Sequence, residues 1–145
     1  MKGSLNTMDY LEPHGFINKI KSHFRKHNTA SIQTQYDVYN VRAFDLHIDF
    51  TDTGKAYFKY DGVAYETFSV YEVLNYLNKK GDTQVRMVFA GKGKENRFRE
   101  YCYIIEKIYA DIHFFGGYSE YDFKEVYAFK KNYAYGIIDW YENFK

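Results

Sequence analysis

Between Val41 and Phe50 the chain alternates residue by residue, with Phe44, Leu46, Ile48 and Phe50 on one side and Asp45, His47 and Asp49 on the other. Successive side chains of an extended chain point to opposite faces, so this run predicts a strand with one apolar face and one face of carboxylates and imidazole. Two placements satisfy the pattern. The strand can line a barrel, with its polar residues inward and its apolar face packed on helices, or it can form an antiparallel edge whose polar face is solvated.

The rest of the chain decides the class. Residues 16–27 bring Phe16, Ile17, Ile20 and Phe24 to one face, as an amphipathic helix requires, and residues 31–39 predict a shorter helix. Thr51-Asp52-Thr53-Gly54 reads as a turn, residues 55–60 as a strand, and Asp61-Gly62 as its end. Ser69 and Glu72 form a capping-box pattern ahead of Val70, Val73, Leu74 and Leu77, with Lys79-Lys80-Gly81 at the far end. A strand over 84–90 follows, then a loop over 91–94 and a helix over 96–109 with Phe98, Tyr101, Cys102, Ile105 and Ile108 as its inner stripe. Residues 111–115 predict a further strand, and helices are expected around 123–130 and 137–144. Strands alternating with helices imply parallel pairing through crossovers, hence an α/β fold in a single domain over 1–145 with a mostly parallel sheet. A complete eight-stranded barrel takes about 200 residues or more, so a TIM-barrel-like reading requires a partial or truncated barrel, or a piece of a longer enzyme.

Composition narrows the partners. Twenty Lys and Arg nearly balance nineteen Asp and Glu, so no global field recommends a nucleic acid. One cysteine, Cys102, excludes a disulfide framework and a thiolate metal site, and reads as a core thiol. No apolar run is long enough to span a membrane and no leader pattern opens the chain, so a cytoplasmic protein is expected. The 17 Tyr and 13 Phe would suit sugars or stacked bases, but read first as composition.

Candidate chemistry is scattered. His23 and His27 have the spacing of zinc helices, without the glutamate of the hydrolase signature, and read as part of a solvated helix face. His113 alternates with Ile112 and Phe114 at a strand end and reads as structural. Ala90-Gly91-Lys92-Gly93-Lys94 is too short for a P-loop but forms a basic loop able to touch a phosphate. Lys19, Lys21, Arg25 and Lys26 make a local basic patch, read as a solvated face.

The runs Thr34-Gln35-Tyr36-Asp37 and Asn40-Val41-Arg42-Ala43-Phe44-Asp45-Leu46-His47 resemble the second strand region of phosphatidylinositol-specific phospholipase C, X-domain type. Gly81-Asp82-Thr83-Gln84-Val85-Arg86 resembles that family's next strand entry, and Pro13-His14-Gly15 falls where its catalytic histidine stands. Thr53-Gly54-Lys55 and Tyr60-Asp61 echo the related glycerophosphodiester phosphodiesterases, and the similarity spans roughly residues 10–117. The resemblance implies a phosphodiesterase acting on a glycerophospholipid or inositol-phosphate headgroup. His14 would be the general base, Asp45 and His47 the groups beside the phosphate, and Asp61 the general acid; Arg42, Arg86 and Lys92 would bind substrate. A second imidazole is missing around residues 59–62, and Asp61 can serve as acid only if its pKa is raised well above about 3.9. Phe89 stands near the place of a substrate-binding lysine, so a divergent or degenerate enzyme is expected. No cofactor is implied. Asp45 and Asp49 could take part in a Ca²⁺ site, although six or more oxygen ligands are the norm. The alternative function is a non-catalytic binding or structural module that keeps a half-barrel and covers its open strand edges by homo-oligomerisation.

Overall fold

The computed structural model describes residues 2–4, 7–8, 31–65, 69–115, 127–132 and 137–142. The strands are β1 (Lys2–Ser4), β2 (Val41–Phe50), β3 (Ala56–Tyr60), β4 (Val63–Tyr65), β5 (Thr83–Phe89), β6 (Ile112–Phe115), β7 (Tyr127–Asn132) and β8 (Ile137–Glu142). The helices are α1 (Ile32–Asp37), α2 (Val70–Lys80) and α3 (Glu95–Ile108). The expected helix over 16–27, with its basic patch and His23 and His27, lies outside the described residues.

All eight strands join one mixed sheet organised around β2. One edge of β2 pairs in parallel with β5, from Ala43 opposite Gln84 to Ile48 opposite Phe89, and β5 pairs in parallel with β6. The other edge is shared. β1 runs parallel to it near Val41 and Ala43, and β3 pairs antiparallel with Ile48, Asp49 and Phe50. The α/β class is as expected, with a parallel core of β1, β2, β5 and β6. The β3–β4, β2–β3, β1–β8 and β7–β8 ladders are antiparallel, so the sheet is mixed rather than mostly parallel. Among the described residues β4, β6 and β7 each pair on one edge only, and no ladder closes the sheet into a barrel.

The segments expected as helices at the C-terminal end are strands, β7 and β8. Tyr127-Ala128-Phe129 and Ile137-Ile138 with Trp140-Tyr141 are aromatic and β-branched sequences suited to a pleated surface. The two pair with each other as a local antiparallel hairpin, and the other edge of β8 pairs with β1, three residues at the far end of the chain. Between β3 and β4, Asp61 (φ +50°) and Gly62 (φ +79°) both adopt left-handed backbone, which is the two-residue turn that matches strand twist.

The apolar residues of β2 face helices, as the alternation required. Phe44, Leu46 and Ile48 are fully buried, joined by Val85 and Met87 of β5, Val73, Leu74 and Leu77 of α2, and Phe98, Tyr101, Cys102 and Ile105 of α3. Aromatic contacts seal this layer: the Phe50 ring meets Tyr101 edge-on at 5.5 Å and Phe89 stacks on Phe98 at 5.3 Å. Ser69 takes the N-cap position of α2 in extended conformation, but its hydroxyl accepts no cap hydrogen bond, so the capping box is positional only. The α3 stripe departs from expectation at one end. Ile108 is 57 % exposed and Tyr109, just past the helix, is buried in its place, because Ile108 lies at the margin of the wheel and the chain turns inward after it. Cys102 is the expected core thiol, and burial, with Glu106 nearby, pushes its pKa up to about 12.

Truncating Phe44 to Ala should open a cavity at the centre of this layer and lower the unfolding free energy by about 3–5 kcal/mol. Urea denaturation followed by circular dichroism measures it, and a loss below about 1 kcal/mol would mean the ring is not packed as described.

Candidate functional site

Asp45, His47 and Asp49 share the face of β2 turned away from the buried apolar layer, as strand parity demands. The β2–β5 register sets Asp45 directly opposite Arg86, so the guanidinium arrives on that same face. Arg86 Nε donates to Asp45 Oδ1 at 2.6 Å, and His47 Nε2 donates to the other oxygen, Oδ2, at 2.9 Å. Arg86 Nη2 also lies 3.5 Å from His47 Nε2. A carboxylate only accepts, so the nitrogen facing Asp45 carries the proton, and the guanidinium, itself a donor, is then a neighbour rather than a partner. Nδ1 of His47 is left without a hydrogen-bond partner among the described residues, on a side chain 19 % exposed.

Asp45 itself has no solvent exposure. Burial alone would raise its pKa, but the charge and hydrogen bond of His47 together with those of Arg86 outweigh it and hold the carboxyl well below the usual carboxylate range. Its backbone is equally constrained. In the gap on the β2 edge between β1 and β3, Asp45 N donates to Thr7 Oγ1 at 2.7 Å and Thr7 N donates to Asp45 O at 3.1 Å. The Tyr60 hydroxyl also donates to Asp45 O, at 2.8 Å, accepts from Met8 N at 3.3 Å, and its ring lies 4.9 Å from the imidazole. Gln35 of α1 reaches the Thr7 carbonyl at 2.9 Å.

Toward the C-terminal end of β2 stands a second cluster. Asp49 accepts from Lys59 Nζ at 3.1 Å, Tyr57 Oη at 3.3 Å and Phe50 N at 2.7 Å. Burial opposes ionisation here too, but the Phe50 hydrogen bond and the Lys59 charge lower its pKa. The loop after β5 closes over it: a Cβ on Gly91 would collide with the Asp49 carboxylate and approach the Phe89 ring within 2.8 Å, so only glycine lets the backbone pass. The same loop is clamped by Lys94 Nζ, which donates to Phe50 O at 2.9 Å. His47 belongs to the first cluster, and its place on β2 lies about 7 Å along the strand from that of Asp49.

The expected residues divide accordingly. Asp45, His47 and Arg86 come together. Asp61 lies in the exposed β3–β4 turn, one residue beyond Tyr60. Lys92 is exposed in the 91–94 loop, beyond the end of β5. Arg42 belongs to the opposite face of β2 from Asp45: it pairs with Asp82 at 3.0 Å, stacks 3.7 Å over the Tyr36 ring and donates to Tyr36 O, which fastens α1 to the end of α2. His14 lies outside the described residues, as do Pro13 and Gly15. His113, exposed on β6, borders a cleft of ≈ 340 Å³ with Gln84, Asp111 and Asp82 at the N-terminal ends of β5 and β6, the end of parallel strands opposite to that where α/β ligands bind. Lys59 and Tyr57 were not foreseen, although the alternation of residues 55–60 puts them on one face. As for Ca²⁺, the oxygens of Asp45 and Asp49 already receive Arg86, His47, Lys59 and Tyr57, and among the described residues no three His, Cys, Asp or Glu side chains converge as a metal site would require.

Set against family models, curated proteins and solved structures, the chain matches none of them.

Replacing Asp45 by Asn leaves Arg86 and His47 without their anion and should cost roughly 3 kcal/mol, at the lower end for a broken buried pair because both partners keep some contact with solvent. The sign of the pH dependence follows from the lowered pKa. The unfolded chain takes up the Asp45 proton below about pH 4 while the native chain does not, so the contribution is complete above that value and is lost as acid is added. Unfolding free energies between about pH 2 and 6 should fall more steeply on the acid side for the native sequence than for Asp45→Asn. Equal slopes would show that the carboxylate is not ionised in the fold.

Proposed function

We propose that the polar face of β2 is a phosphodiester-cleaving site of phospholipase C type, in which His47 is the general acid. The observation that carries this is the hydrogen bond from His47 Nε2 to the buried Asp45, which fixes the ring and leaves Nδ1 to carry a proton outward. Asp45, kept anionic by Arg86, stabilises the imidazolium that such an acid must be before it acts. An imidazole placed here also answers the absence of one around residues 59–62, where the family resemblance expects the second histidine.

In the reaction so assigned, a hydroxyl of the headgroup loses its proton to a base, its oxygen bonds to phosphorus, the bond from phosphorus to the leaving alcohol oxygen breaks, and that oxygen takes the Nδ1 proton of His47. The base implied by the resemblance is His14. Arg86 and Lys59, each held by an aspartate beside the ring, supply positive charge toward the phosphoryl oxygens. The substrate class, a glycerophospholipid or inositol-phosphate headgroup diester, comes from the resemblance of residues 34–47 and 81–86, and with it the reading of the parallel core as the retained part of a shortened barrel.

A second reading rests on the zero exposure of Asp45: the cluster ties β2 to β5 in a non-catalytic module. Leaving-group chemistry separates the two. His47→Gln should slow cleavage of a headgroup diester with an alkyl leaving group by about 10²- to 10⁴-fold, and should largely spare a nitrophenyl diester, whose leaving group needs no proton. Equal losses on both substrates would remove the acid role from His47, and no turnover of either by the native protein would leave the structural module.

A further inference from the structure

Three of the five large hydrophobic side chains exposed among the described residues stand on one helix: Tyr103 at 59 %, Ile104 at 49 % and Ile108 at 57 %. At 100° per residue they fall with Glu100 and Lys107 in a stripe on the outer side of α3, away from Phe98, Tyr101, Cys102 and Ile105. A shallow depression of ≈ 400 Å³ lies on it, lined by Arg99, Glu100, Tyr103 and Ile104. A surface-facing helix ordinarily keeps large aliphatic residues off such a stripe, and their concentration marks an interaction face.

The charges say what covers it. Glu100 and Lys107 lie two helical turns apart and flank the apolar pair Tyr103 and Ile104. A second α3 laid antiparallel across a twofold axis between residues 103 and 104 brings Glu100 of each copy to Lys107 of the other, and Tyr103 to Ile104. Opposite charges then meet at both ends and the apolar residues meet in the middle. An isologous contact requires a patch complementary to itself, and this stripe is. We propose that α3 is the interface of a homodimer, packed against the same helix of a second copy. This proposal is independent of the phosphodiester reading. One helix pair buries a small area, so the association should be of roughly micromolar strength.

The test is sedimentation of the full chain over a concentration series. The native protein should show a reversible monomer–dimer equilibrium. Glu100→Lys sets like charges together at both ends and should weaken the dimer at least about tenfold, whereas Glu100→Lys with Lys107→Glu restores complementarity and should return the dissociation constant to within about threefold of the native value. Ile104→Lys should give a monomer. All these side chains face outward, so the circular dichroism spectrum, and the melting temperature measured well below the dissociation constant, should be unchanged and confirm that each variant folds. A native protein that stays monomeric at every concentration, a dimer indifferent to these changes, or a double variant no tighter than the single one would overturn the proposal.

Discussion

A carboxylate without any contact with water, paired on one oxygen to a guanidinium and on the other to an imidazole, is the constraint around which this structure is arranged. Such a group is tolerated only because the guanidinium and the imidazole N–H both reach it with good geometry; with either one removed, the buried carboxylate would be left with less compensation. Asp45 therefore dictates more than its own surroundings. It fixes the register of β5 against β2, since a shift of one residue would turn Arg86 to the other face of the sheet. It also accounts for the attention its backbone receives from Thr7 and Tyr60, which fill the fork where β1 leaves the edge of β2 and β3 has not yet joined it.

From that anchor the two faces of β2 separate cleanly. One is dry and aromatic, covered by α2 and α3, and supplies the hydrophobic stabilisation. The other is a row of charge in which His47 alternates with two aspartates, each bound to its own cation. Along β2 the side-chain exposure is none at Asp45, 19 % at His47 and 12 % at Asp49. The ring at the middle of the row is the group held from the buried side and open on the other.

Much of this was legible in the sequence where the signal is local. The alternation in residues 41–50 gave the strand, its two faces and the gathering of Asp45, His47 and Asp49; the 3.6-residue periodicity gave α2 and α3 with all but one residue of the inner stripe of α3. The parts that needed distant partners were not legible. β8 pairs with β1 at the other end of the chain, and no window of sequence contains both, while β7 pairs with β8 alone. Arg86 is a candidate from the sequence, but its partnership with Asp45 depends on register across 41 residues, and Arg42, three residues from Asp45 and so on the opposite face, is a clamp for α1 and Asp82. Period alone places Ile108 inward; where a helix ends, the next residue competes for the same space, and Tyr109 occupies it.

The account stands on which nitrogen of one imidazole bears its proton. Long-range proton–nitrogen correlation spectra of the ¹⁵N-labelled protein report this directly for His47. The structure predicts a proton on Nε2, with its hydrogen slow to exchange because it is held by Asp45. A bare Nε2 with the proton on Nδ1 would mean that Asp45 does not hold the ring, and the arrangement described here would be contradicted at its centre.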